Sequence, residues 1–286
     1  MKNSIKIEIE RLLHSSFLYI SLSIGICCSL INCINNARIV ARFTATIAES
    51  LANGLCISTS FEGFSLFVRW MAVNPASFGN NLFYFIWPIL AALPFGWSYS
   101  ADRRTGYYDQ IVLRNSRQTY FISKYIAVFA GGGISIAFPV LLDLLVNAMI
   151  CPTCVPDVTY SILPISNMSF MSQLIYTSPW IYALVWCVLD FLFGGAAACL
   201  CFVSGARFRF SVIVMLTPFL GFTLVDSFLT ILCSISHTKK LFSPFQVAQA
   251  ASLTINPGWV VLPTLCVMLV VSLVLGYMEM VKRELV

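Results

Sequence analysis

Residues 125–150 read YIAVFAGGGISIAFPVLLDLLVNAMI, and the only charged side chain among them is Asp143. A helix needs about 20 mostly apolar residues to cross about 30 Å of hydrocarbon, and this run supplies them without interruption. Comparable runs occupy Phe17–Asn36, Leu82–Tyr99, Pro179–Val203, Ser211–Ser234 and Trp259–Met278. Over the whole chain 59% of residues are hydrophobic and 10% charged, with a mean hydropathy of +0.86. A soluble domain carries roughly 25% charged residues because its surface faces water. The expectation is an all-α polytopic membrane protein of about six transmembrane helices. It forms a single transmembrane domain over residues 1–286 and leaves no stretch for a separate soluble domain.

The spans carry their own packing signals. Pro88 and Pro94 kink the second, because proline removes an intrahelical hydrogen bond that neighbouring helices must replace. Gly131–Gly133 in the third and Gly194–Ala198 in the fourth are small enough for close helix contact. Ahead of the first span, Lys2–His14 places Ile5, Ile9, Leu12 and Leu13 on one helical face and Lys2, Lys6 and Glu10 on another. That pattern predicts an amphipathic helix over residues 1–15, lying in the membrane interface, or else a frayed terminus. Residues 37–81, with Arg38, Arg42, Glu49, Glu62 and Arg69, read as a folded loop, and 235–258 as a mixed tract with a re-entrant piece. No signal-peptide pattern precedes the first span, which is read as retained.

Basic residues set the orientation. With both termini cytoplasmic, twelve lysines and arginines fall inside and five (Arg38, Arg42, Arg69, Lys239, Lys240) outside, as the positive-inside rule favours. Segments 37–81 and 235–258 are then extracytoplasmic. The net charge of +5 is spread over loops rather than massed in a stripe, which suits anionic lipid and argues against nucleic acid.

Catalytic chemistry has little to stand on. The sequence contains no phosphate-binding G-x-x-x-x-G-K-[ST], no H-E-x-x-H and no G-x-S-x-G, so this chain is not read as an enzyme. Most of the eleven cysteines sit in apolar runs as small hydrophobes. Cys151 and Cys154 form a C-x-x-C that reads as two unrelated thiols or a local disulfide; a zinc site would need two further ligands, and neither histidine is near in sequence. Three acids interrupt spans: Asp143, Asp190 and Asp226. Each costs about 2.5–3.5 kcal/mol at a helix centre. They line a polar pathway or proton relay, or else Asp143 and Asp226 meet headgroup water while Asp190 accepts hydrogen bonds across helices.

The stretch between the second and third spans is the most distinctive. Tyr99, Asp102, Arg103, Arg104 and Gly106 form a short charged helix ending at a glycine. Tyr107, Ile111 and Leu113 follow on an amphipathic piece, and Arg117, Tyr120, Ser123, Lys124 and Tyr125 enter the third span. Together with the proline-kinked span before it, this pattern resembles the membrane subunit of an ABC-2 type transporter. There a Tyr-x-x-Glu-Arg-Glu-x-Gly stretch touches the nucleotide-binding subunit; here Asp102 and Arg104 depart from that charge pattern. The resemblance implies that Asp102, Arg103, Arg104, Gly106 and Tyr107 form the coupling element, within a cytoplasmic region 100–124. It implies a homodimer or heterodimer of such subunits in a plasma membrane, the cytoplasmic membrane of a bacterium. Separate ATPase chains would hold the ATP and Mg, and this chain would carry no cofactor. Substrate would pass along the second and fifth spans, which makes Phe85, Trp87, Phe95, Phe219, Phe222 and Asp226 pathway candidates, with Asp190 nearby in the fourth. A peptide, drug or lipid-like cargo suits such aromatic spans. Two other classes fit the composition: an ion-coupled carrier using the three acids, and a non-transporting scaffold or sensor.

Overall fold

A computed structural model describes residues 2–54, 65–114, 116–156, 165, 169–236, 242–250 and 257–282. Among these every regular element is a helix. In order they are α1 (Lys2–Leu13), α2 (Ser16–Ala52), α3 (Leu66–Arg69), α4 (Phe78–Ala92), α5 (Ser98–Arg104), α6 (Tyr107–Arg114), α7 (Arg117–Ile150), α8 (Ser172–Thr177), α9 (Pro179–Ser204), α10 (Ser211–Ile235) and α11 (Gly258–Tyr277). A π-helical turn, Met278–Lys282, continues α11. Five helices are long and apolar enough to cross a bilayer: α2, α7, α9, α10 and α11 with its extension. The chain is a multi-pass integral membrane protein.

Two expectations are corrected. Residues 37–52 are not loop but the continuation of α2, whose 37 residues make a rod of about 55 Å. No glycine or proline interrupts the chain between Gly25 and Gly54, and Arg38, Arg42 and Glu49 are exposed, so the helix runs on past the apolar run into a polar setting. It stops at Asn53 and Gly54, whose φ of 70° suits only a residue without a Cβ. The second apolar run is also divided. Its helix α4 ends at Ala92, and Pro94 lies in a turn before α5, so Tyr99 belongs to a separate short helix.

α4 nevertheless brings the chain back along α2. Gly79 abuts the Cys28 carbonyl, Ser21 Oγ donates to the Leu90 carbonyl at 2.8 Å, and Ser15 Oγ donates to that of Pro94 at 3.2 Å. Residues 65–77 and 242–250 fold into the bundle around it. Val73, Val247, Ala248 and Ala250 join the same core as Trp87 and Leu90. Irregular backbone at such depth is tolerated where protein covers it. Glu62, Lys239, Lys240 and the flanks of the 235–258 tract lie outside the described residues.

The closest pair is α7 and α9. A Cβ on Gly194 would fall 2.7 Å from the Gly132 carbonyl oxygen and 2.8 Å from Ile136 Cγ1. Phe129 lies over Gly195 and Phe191 over Gly133, so each helix fills the other's glycine notch with an aromatic ring. Without a hydrophobic drive between helices in lipid, this close fit is what holds them. Gly194→Val should therefore destabilise the bundle by about 1–3 kcal/mol. Gly221→Val on α10, where a Cβ meets nothing within 4 Å, should change it by under about 0.5 kcal/mol. Unfolding of the purified protein in denaturing detergent compares the two.

Candidate functional site

One end of the bundle gathers α1, α5, α6, the start of α7, the α9–α10 turn and the end of α11. Arg103 donates to the Ala206 carbonyl at 2.9 Å, Arg207 pairs with Glu279 at 3.0 Å, and Met280 packs with Leu12 and Tyr108. Within it lies a closed set of four charges.

Its centre is Lys124, fully buried in the second turn of α7. The ammonium donates to Asp102 Oδ2 at 2.6 Å and to Glu8 Oε2 at 3.0 Å. Arg11 closes the ring, reaching Asp102 Oδ1 at 2.8 Å and Glu8 Oε1 at 3.2 Å. Tyr120, one helical turn before Lys124, donates its hydroxyl to Asp102 Oδ2 at 2.7 Å. Aromatic faces cover the cations: Tyr107 lies 4.3 Å from the Arg11 guanidinium and Phe95 4.5 Å from the Lys124 ammonium. Asp102 and Glu8 are each only 2% exposed.

Each element delivers its charge for a local reason. On α1, Glu8 and Arg11 stand three residues apart and so share a face; Leu12 beside them fills the space above Gly131. The inward stripe of α1 thus carries an acid, where the pattern of Ile5, Ile9, Leu12 and Leu13 predicted an apolar one; Leu13 is exposed. α5 turns Asp102 inward and leaves Arg103 and Arg104 in the open. Gly106, with φ of 74°, makes the break that lets α6 fold back so that Tyr107 reaches Arg11. Burial works against the Arg11 charge, but the hydrogen bond to Asp102 and the charges of Asp102 and Glu8 outweigh it, so the guanidinium holds its proton more firmly than a free one. Burial opposes ionisation of Asp102 too, yet Lys124 and Arg11 hold its carboxyl below the usual range.

Of the residues expected to form a coupling element, the structure therefore brings Asp102 and Tyr107 into this network and exposes Arg103 and Arg104. Glu8 and Arg11 were not singled out as functional from sequence, and Lys124 only as part of the α7 entry. Their signals are a lone acid on the packed face of α1 and a lysine four residues after Tyr120 at the head of an apolar run.

The pathway candidates divide. Phe85, Trp87, Phe219 and Phe222 gather around Phe245, with ring centroids of 5.4 Å for Phe85–Phe219 and for Trp87–Phe222. The Trp87 indole donates to the Phe245 carbonyl at 3.2 Å, and Ser243 donates to Asp226 at 2.7 Å, so one irregular segment joins α4 to α10. Trp87 is fully buried, whereas Phe85 is 54% exposed. Phe95 lies apart, in the charge network. Asp190 is buried within α9 and accepts from the Tyr84 hydroxyl at 3.3 Å, its other oxygen having no partner among the described residues. Asp143 takes donors from protein: Asn32 Nδ2 at 3.0 and 3.1 Å and the Met71 amide at 2.8 Å. Cys151 is buried and Cys154 exposed, both as free thiols.

No family model matches the sequence, and no curated protein matches it. What the site does must come from its geometry.

The depressed Asp102 value fixes a pH dependence. Its contribution is complete above the unfolded value of about 3.9 and is lost as pH falls through the lower folded one. Hydrogen exchange of Lys2–Leu13, corrected for intrinsic rates, should show steady protection from neutral pH down to the ordinary carboxylate value of about 3.9, and loss only as the pH falls below it. Loss of protection already between about pH 7 and 5 would contradict the network.

Proposed function

We propose that this chain is the membrane-spanning subunit of an ABC-2 type exporter, moved by separate ATPase chains that bind its basic end from the cytoplasm. The supporting observation is the ionic junction. It ties the interfacial helix α1 and the α5–α6 elbow to the first turns of α7, the helix most closely locked to α9. A push on α6 is thereby delivered to the bundle rather than dissipated in a loop. A partner has somewhere to hold: α1 and α6 flank a cleft of about 250 Å³ lined by Ile7, Tyr107, Gln110 and Arg114, beside Leu113, which is 87% exposed.

On this reading Asp102 positions the elbow, and the contacts to the ATPase come from the outer face of α6 and from α1. α4 and the turn at Leu93–Trp97 make the sixth crossing, with the turn as its hinge and α5 at the membrane surface. Helix α4 alone spans about 22 Å, so the turn completes the passage. Substrate of peptide, drug or lipid-like character would move along the α4–α10 face once the Phe245 segment withdraws. ATP-driven closure of the partners needs only a preference for one of two bundle states to drive that exchange.

The ion-coupled alternative rests on Asp190, a buried carboxyl with one oxygen unpartnered among the described residues. It requires flux driven by a proton gradient without ATP and abolished by Asp190→Asn.

Affinity purification of the chain from its native membrane should bring with it a Mg-dependent ATPase activity. Leu113→Asp with Arg114→Glu should release most of that activity while leaving the thermal midpoint unchanged. An ATPase-free preparation of wild-type protein, or full retention by the double variant, would reject the coupling role.

A further inference from the structure

A second concavity at the basic end shares no lining residue with the α1–α6 cleft. It lies between α5 and the α9–α10 turn, encloses about 480 Å³, and is lined by Ser100, Arg103, Arg104, Phe208, Arg209 and Phe210 among others. Every charged side chain in its wall is an arginine. Two acids of this end are engaged elsewhere: Asp102 faces Arg11 and Lys124, and Glu279 pairs with Arg207. Arg104 and Arg209 are exposed and make no ion pair among the described residues.

The position is as informative as the charge. Phe210 caps the N-terminus of α10, one of the five apolar spans, and Ser211 meets Ser100 across the groove at 3.3 Å. Phe208 and Phe210 are 45% and 68% exposed, and Val212 and Ile213 on the next turn are 67% and 44% exposed. The groove therefore grades from guanidinium groups to aromatic rings to the open apolar side of α10. An acidic protein surface would match the arginines and leave the phenylalanines and α10 without partners. A phosphodiester with acyl chains matches the whole gradient, because arginine forks bind phosphate oxygens and the chains run along α10.

We propose that this groove is a headgroup site for an anionic phospholipid, with Arg104 and Arg209 holding the phosphate and Phe208 and Phe210 bracketing the glycerol and upper acyl region. Arg103, tied to the Ala206 carbonyl, keeps the α5 wall against the turn. The site depends only on α5 and α10 meeting at the membrane surface, so it stands whether or not an ATPase binds α6. Bound lipid there joins the elbow to the first turn of α10 and makes the elbow's position sensitive to membrane charge.

The test uses purified full-length protein in zwitterionic detergent and fluorescent phosphatidylglycerol and phosphatidylcholine analogues, read by energy transfer from the protein's tryptophans. Wild-type protein should prefer phosphatidylglycerol. Arg104→Gln with Arg209→Gln should weaken that binding roughly thirtyfold, at the usual strength of a basic residue near an anionic surface. Lys6→Gln with Arg114→Gln removes the same charge from the same end outside the groove and should leave binding within about threefold. Arg104→Lys with Arg209→Lys keeps the charge without the fork and should lose clearly less than the glutamine pair, which separates lost charge from misfolding. Equal binding of the two lipids, or equal losses in both glutamine pairs, would overturn the proposal. Displacement of the lipid by millimolar inorganic phosphate would assign the groove to a soluble anion, and displacement by a glutamate-rich peptide to an acidic protein. Either result overturns the lipid site.

Discussion

Lys124 is a primary ammonium with no solvent access, and its charge is tolerable only while Glu8 and Asp102 both face it. Separating a buried ion from its partners costs about 3–5 kcal/mol, against about 0–1 kcal/mol for a surface ion pair. Helix α1 cannot lift away without leaving Lys124 and Asp102 short of countercharge, and α5 cannot rotate without stranding both cations. The three segments therefore move as one body or exchange partners together. In a membrane protein such an ionic junction can join a short amphipathic helix to a span where apolar contact alone gains little against lipid.

The rest of the bundle divides into tight and loose parts around that junction. α9 buries 67% of its most apolar window and α10 only 11%, although the two are nearly equal in hydropathy. Glycines explain the first figure: α7 and α9 meet at backbone distance, so motion delivered to α7 carries α9 with it. The second leaves α10 with Val214 and Pro218 as its buried residues, held otherwise by the aromatic cluster about Phe245 and by the Ser211–Ser100 and Asp226–Ser243 contacts. The span with the least packing is the one that closes the α4–α10 face.

Much of this was written in the pattern of apolar runs. The span ends read from hydropathy at Pro179–Val203, Ser211–Ser234 and Trp259–Met278 fall within a residue or so of α9, α10 and α11. Hydropathy failed where a helix continues into water. Residues 37–52 carry charges because they project, and the absence of glycine or proline before Gly54 was the better guide to where α2 ends. The second run looked continuous because Leu93–Trp97 is apolar, yet Pro94 follows Ala92 too closely for the helix to go on. Asp102, Gly106 and Tyr107 stood out through their local pattern. Glu8 and Lys124 did not, because sequence patterning assigns charges to the water side and their bond joins residues 116 positions apart. Likewise Phe85, Trp87, Phe219 and Phe222 come together only through Phe245, which sits in a tract with no periodicity of its own.

A double-mutant cycle between Asp102→Asn and Lys124→Met, measured by reversible unfolding in denaturing detergent, probes the junction itself. Two groups locked in a buried ion pair should show a coupling free energy of at least about 2 kcal/mol, because each single variant leaves the four-charge network one charge out of balance and the double variant, with Glu8 and Arg11 still paired, restores it. Additivity within about 0.5 kcal/mol would mean that Lys124 and Asp102 do not sense each other, and α1, α5 and α7 would then have no ionic reason to move together.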